Sequence, residues 1–75
     1  MKIDEKYLAK MKNYDYKTFP LYLQLSIEGY IEAYEEEKEL ELNELYMDLY
    51  SSINIAQWDE EISIDKANEL RDTFL

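Results

Sequence analysis

One glycine and one proline in 75 residues constrain this chain more than any other feature of its sequence. Hairpins and bulges draw on Gly, Pro and Asn-Gly or Asp-Gly pairs at nearly every turn, so an all-β chain of this length would lack its punctuation. Helices are the alternative, and the apolar spacing supports them. Asp4 suits an N-cap, because its carboxylate can accept the orphan N–H groups of a first turn. Ile3 and Leu8 then stand at N′ and N4, the spacing of a hydrophobic staple. A first helix is expected from about Glu5 to Lys12, with Tyr7, Leu8 and Met11 inward. The aromatic-rich stretch Asn13 to Phe19 follows as a connection.

Pro20 fits the first position of a second helix, where its missing N–H costs nothing. Leu23, Ile27, Tyr30, Ile31 and Tyr34 recur at helical spacing as one apolar stripe. Glu28, Glu32, Glu35, Glu36 and Glu39 form a nearly opposite acidic one. Leu21 and Leu25 fall on the acidic side, which implies that the first helix or a partner covers that end. Glu39 to Asn43 either continues the helix or links it to a new one capped by Asn43. Leu42, Leu45, Leu49 and Ile53 carry a further stripe, with Tyr46 and Tyr50 beside it. Trp58 ends that run, and Asp59-Glu60-Glu61 reads as a polar turn. A last helix from about Asp65 to Phe74 turns Ala67, Leu70 and Phe74 to one face, with Asp65 or Ser63 as its cap. The expected fold is all-α, a compact three- or four-helix bundle forming a single domain over residues 1–75.

A domain this small buries only about 60% of its unfolded surface. With 47% hydrophobic residues, eight Tyr, two Phe and one Trp, the chain is nevertheless too apolar and aromatic for a disordered acidic tail. Cysteine and histidine are both absent. That excludes disulfides, the usual structural zinc sites and any Ser-His-Asp or Cys-His nucleophile. Gly29 stands alone inside a helical pattern, so no glycine-rich phosphate loop is present. The run Glu35-Glu36-Glu37-Lys38-Glu39 lacks the central glycine and loop spacing of a calcium site. No catalytic, cofactor-binding or metal-ligating residue is expected, and no enzyme. No apolar run approaches the roughly 20 residues that span a bilayer. The start Met1-Lys2-Ile3-Asp4-Glu5 reads as a cytoplasmic N-terminus.

Charge is unevenly distributed. Residues 1–17 carry five lysines against three acids, a net of +2; residues 18–75 carry Lys38, Lys66 and Arg71 against 15 carboxylates, a net of −12. The two parts give the −10 of the whole chain. A surplus of this sign repels nucleic acid and anionic membrane and attracts basic protein surfaces. An acidic stripe is ordinarily a solvated helix face. Here the net charge exceeds the magnitude of about 2–8 that keeps small domains soluble. Like charges at i,i+4 (Glu28-Glu32, Glu32-Glu36, Glu35-Glu39) also destabilise a helix by a few tenths of a kcal/mol per pair.

Duplex DNA presents about one charge per 1.7 Å of axis. Ten net charges over a globule roughly 30 Å across give about one per 3 Å. Carboxylates at i,i+4 step by about 6 Å along a helix, near the spacing of successive phosphates. Tyr30/Tyr34 and Tyr46/Tyr50 fit the edge of a core, with hydroxyls reaching water. Tyr14, Tyr16 and Phe19, in a connection too short to bury them all, and Trp58, beside three acids, fit an interface better. The stripe Lys2, Lys6 and Lys10 reads as a solvated face of the first helix.

On the acids from Glu28 to Glu44 and the cluster Asp59-Glu60-Glu61, the chain resembles in kind the small acidic helical inhibitors of phages and mobile elements, such as anti-CRISPR and anti-restriction proteins. The frequent Lys, Ile, Tyr, Asn and Glu suggest an AT-rich coding sequence of a bacterium, phage or mobile element. The resemblance implies a cytoplasmic protein-binding inhibitor that occupies the basic groove of a nucleic-acid-handling protein, without itself binding nucleic acid or membrane. Glu28, Glu32, Glu35, Glu36, Glu39, Asp59, Glu60 and Glu61 would supply charge, and Tyr14, Tyr16 and Trp58 specificity. The competing expectation is a structural or regulatory interaction module, for instance a homodimer, that docks through an apolar stripe.

Overall fold

The computed structural model describes residues 2–75. It contains α1 (Glu5–Asn13), α2 (Leu21–Glu35), α3 (Glu39–Trp58) and α4 (Ile64–Phe74), with no strand among the described residues. Each helix packs on the next, and α1 also touches α4, so the four close a ring around one core. The bundle measures 35 × 22 × 18 Å.

Local chemistry starts α1, α2 and α4 near their expected positions, whereas α3 begins at Glu39, after Lys38, and not at the Asn43 cap. Asp4 caps α1, its Oδ1 accepting the N–H groups of Lys6 at 3.0 Å and Tyr7 at 3.3 Å. Ile3 packs against the core as the staple spacing requires. Pro20 is the N-cap of α2, one position before the expected N1, and its carbonyl accepts from Leu23 and Gln24. At α4 it is Ser63, and not Asp65, that caps, its Oγ accepting the Lys66 N–H at 3.1 Å.

Helices α2 and α3 are separate. The break at Glu36-Glu37-Lys38 is a Schellman motif: Lys38 N–H bonds Ala33 carbonyl at 3.0 Å, and Glu37 N–H bonds Tyr34 carbonyl at 3.2 Å. The same motif ends α3, where Glu61 N–H bonds Ala56 carbonyl at 2.9 Å and Glu60 N–H bonds Gln57 carbonyl at 3.1 Å. Each motif requires a left-handed residue, usually glycine. Here glutamates occupy both positions, Glu37 at φ 56° and Glu60 at φ 57°. The chain's only glycine, Gly29, lies inside α2 instead.

The core follows the apolar stripes. Met11, Leu23, Ile27, Leu49, Ile53, Ala56, Ala67 and Leu70 are fully enclosed, and burying each large one contributes about 1.5–3 kcal/mol. Contacts between Ser26 and Ser52, Gly29 and Leu45, and Tyr30 and Tyr46 run α2 antiparallel to α3. Ser26 Oγ donates to Asp48 Oδ2 at 2.8 Å, so Ser52 Oγ, also at 2.8 Å, is the donor to Ser26. This chain satisfies two buried hydroxyls at the helix seam. α1 is fixed by aromatic side chains. The Tyr7 ring meets Tyr34 edge-on at 5.1 Å, its hydroxyl donates to the Phe74 carbonyl, and Tyr34 Oη accepts the Asp4 N–H at 2.8 Å. Arg71 clamps α4 to α3 by donating to Asn54 and Gln57, both at 2.8 Å.

The connection Tyr14–Pro20 is better buried than its length suggests. Phe19 is buried, and Tyr14 packs on Phe19 and edge-on against Phe74 at 5.7 Å. Gln24 closes the segment by donating its side-chain amide to the carbonyls of Phe19 and Lys17. As expected, the connection does not bury all three aromatics, since Tyr14 and Tyr16 are only partly buried; Phe19, however, is buried and does not fit an interface. Tyr14 bridges the connection and α4, resting on Phe19 of the one and edge-on against Phe74 of the other.

Candidate protein-binding face

The candidate face is built on the α2–α3 pair. Neither Leu21–Glu35 nor Glu39–Trp58 contains a single Lys or Arg. Both helices also lack a basic residue in the last turn, where the negative end of the helix dipole favours a cation. Carboxylates stand there instead: Glu32, Glu35 and Glu36 at the end of α2, and Asp59, Glu60 and Glu61 after α3. Each such placement opposes folding by about 0.3–1 kcal/mol at an exposed site.

Every acid expected at the site is exposed, but Asp59–Glu61 stand apart from the acids of α2. Glu32 and Glu36 meet Glu41 of α3 around a groove of about 190 Å³, with Lys38 at its edge. Lys38 Nζ lies 3.8 Å from both Glu36 and Glu41. Glu28, Glu35 and again Glu32 line a second hollow with Tyr16 on the α1 side, where Lys12 pairs with Glu35. Burial raises the Tyr16 phenol above its ordinary range, and the nearby Glu28 carboxylate adds to it. Asp59, Glu60 and Glu61 form a third group at the opposite end of α3. There Tyr22 Oη donates to Glu61 at 2.6 Å. Burial, with that hydrogen bond and the charges of Glu61 and Asp59, pushes the Tyr22 phenol up to about 12.

Two corrections follow. Glu39 does not extend the acidic stripe of α2, because the left-handed Glu37 breaks the helix and Glu39 opens α3. Glu35 and Glu39 are therefore not an i,i+4 pair on one helix. Tyr14 is part of the core edge: its hydroxyl is enclosed and makes no hydrogen bond of normal geometry. The Glu69 carboxylate nevertheless approaches that phenol closely enough to be held below the usual carboxylate range. Tyr16 is half-buried, whereas Trp58 is 77% exposed.

An apolar set is also exposed, of which Leu40, Met47 and Ile55 were not expected. Leu21 and Leu25 are 69% and 58% exposed, so α1 does not cover the start of α2. Leu40, Met47, Ile55 and Trp58 are also exposed on α3. Met47, Ser51, Ile55 and Trp58 follow one another at +4, +8 and +11, a readable signal masked by the parallel stripe Leu42, Leu45, Leu49 and Ile53. Tyr22 and Glu41 were also missed.

Lys12, Lys38 and Lys66 are held in ion pairs and Arg71 in amide contacts. The ammonium groups of Lys2, Lys6, Lys10 and Lys17 make none among the described residues. Among those residues no group of acids converges as a metal site, and no helix is long and apolar enough to cross a membrane. No protein-family model, curated protein or solved structure matches the chain.

Proposed function

We propose that the protein is a non-enzymatic acidic inhibitor that docks on a basic protein surface and occupies the groove of a nucleic-acid-handling protein. One observation carries this reading: α2 and α3, 35 residues between them, present carboxylates and no cation. Glu28, Glu32 and Glu36 step along α2 by about 6 Å, on a bundle 35 Å long that bears a net charge of −10. That is one net charge per 3.5 Å, about half the linear density of duplex DNA. Acids set against two helix dipoles and at two left-handed positions weaken the fold locally, which supports a role outside it. Glu28, Glu32, Glu36 and the Asp59–Glu61 turn supply charge, with Tyr16 and Trp58 as aromatic neighbours. The partner's groove gains ion pairs and both surfaces release counterions.

Exposure of Leu40, Met47, Ile55 and Trp58 favours a second reading, an interaction module that pairs through its apolar stripe as a homodimer. Affinity capture from a bacterial lysate with stepwise salt elution separates the two. Surface ion pairs weaken as the screening length falls from about 10 Å at 0.1 M salt to 3 Å at 1 M. A discrete nucleic-acid-binding protein released at intermediate salt and displaced by added DNA supports inhibition. Recovery of the protein only with itself, insensitive to salt, refutes it and favours the homodimer.

A further inference from the structure

The exposed apolar residues and the acids around them describe an occupant. Leu21 and Leu25 lie one helical turn apart on α2, and Ile55 and Trp58 three residues apart on α3. The antiparallel register set by Ser26–Ser52 and Tyr30–Tyr46 brings the start of α2 alongside the end of α3. The Tyr22–Glu61 hydrogen bond ties the same ends together. All four side chains are exposed, Trp58 most of all. Charge bounds the patch on both sides along the chain. Glu28 and Glu32 continue the Leu21–Leu25 stripe at +7 and +11, and Asp59, Glu60 and Glu61 follow Trp58 directly.

We infer that this end of the α2–α3 pair is a docking site for a cationic amphipathic helix of a partner protein, whose apolar side chains cover Leu25, Ile55 and Trp58 while its Lys or Arg residues meet the acidic rim. Charge complementarity selects this occupant over a second copy. A two-fold dimer would bring this face onto itself, and the two helices that form it carry no cation. Across such a contact the helices themselves would set carboxylate against carboxylate. A purely polar basic surface would leave Trp58 and the aliphatic side chains in water. A helix with apolar residues at i, i+3 or i+4 and i+7 satisfies both demands. The inference shares with the proposed function only the partner's positive charge, and needs no nucleic-acid-handling target.

Trp58 is the only tryptophan, so its emission reports directly on cover. The intact protein is titrated with three synthetic peptides: a leucine-lysine helix with all leucines on one face, a shuffled peptide of the same composition, and polylysine of equal charge. The expected result is a one-to-one complex with the amphipathic helix, with a blue shift of Trp58 emission and affinity at least roughly tenfold tighter than for either control. The doubly substituted Leu25→Ser, Ile55→Ser protein should lose roughly tenfold or more in affinity. Both side chains are exposed, so its circular dichroism should be unchanged. Equal affinity for polylysine or the shuffled peptide, binding without a Trp58 shift, or no binding overturns the inference. A Trp58 shift that grows with protein concentration alone also overturns it, because the occupant is then a second copy. Since the peptides are tested directly, these outcomes are independent of whether a nucleic-acid-handling protein is captured.

Discussion

Replacing Glu37 and Glu60 with glycine should raise stability, although neither side chain touches the core. Both residues occupy the left-handed position of a Schellman motif, at φ 56° and 57°, where an L-residue costs about 1–2 kcal/mol. Glycine removes that strain but gives back about 0.5–1 kcal/mol through its freer unfolded chain. The net gain is about 0.5–1 kcal/mol per site. The sites flank a 20-residue helix and so lie about 30 Å apart, far enough for the effects to add. Glu37→Gly/Glu60→Gly should therefore gain about 1–2 kcal/mol, which for a domain this size is a Tm rise of roughly 5–15 °C. Thermal and urea unfolding followed by circular dichroism measure it. Glu37→Gln/Glu60→Gln separates charge from backbone, since it removes both carboxylates and keeps both Cβ atoms. The reasoning is refuted if the glycine variant melts at or below the parent temperature, or if the glutamine variant gains as much.

Gly29→Ala should stabilise by about 0.5–1 kcal/mol: a Cβ there would lie 3.7 Å from Leu45 Cδ2, an ordinary contact, and urea unfolding reads the gain. Ser26→Ala should cost about 1–3 kcal/mol because it leaves the buried Ser52 hydroxyl without its acceptor, whereas Ser26→Ala/Ser52→Ala should recover much of that loss; chemical unfolding of both variants checks the asymmetry. Stability should fall in alkali. Burial raises the Tyr7, Tyr14 and Tyr30 phenols above 10, so the folded chain holds these protons more tightly than the unfolded one. Their contribution is complete below pH 10 and is lost as pH rises past it toward the folded values. Tyrosinate absorbance and circular dichroism, followed together from pH 9 upward, should show these phenols ionising as helix is lost.

Much of this fold can be read from residues that act locally. The Asp4 cap, the α2 stripe Leu23, Ile27, Tyr30, Ile31 and Tyr34, and the α4 face Ala67, Leu70 and Phe74 depend on neighbours three or four positions away, and all reappear in the bundle. The break between α2 and α3 was not legible, because glutamate rather than glycine takes the left-handed position and the sequence around it still looks helical. The packing of Tyr14 and the burial of Phe19 were hidden for another reason: Tyr14 rests on Phe74, more than 50 residues away, and Phe19 on Tyr14. The acids of the candidate face were visible as a list, but their arrangement was not. Their arrangement as a groove at Glu32, Glu36 and Glu41, a flank at Glu28 and Glu35 joined to it through Glu32, and a far turn at Asp59–Glu61 depends on where α2 stops.

The central claim, that acidic side chains of α2, the following turn and the start of α3 hold a basic partner, is tested most directly by replacing Glu32, Glu35, Glu36 and Glu39 with glutamine and repeating the salt-stepped capture. Glutamine keeps size and helix propensity, and the exposed pairs Lys12–Glu35 and Lys38–Glu36 contribute only about 0–1 kcal/mol each, so the variant should remain folded. The account predicts that it loses the DNA-displaceable partner retained by the parent protein. A folded variant that retains that partner as firmly as before, to the same salt concentration, would contradict it.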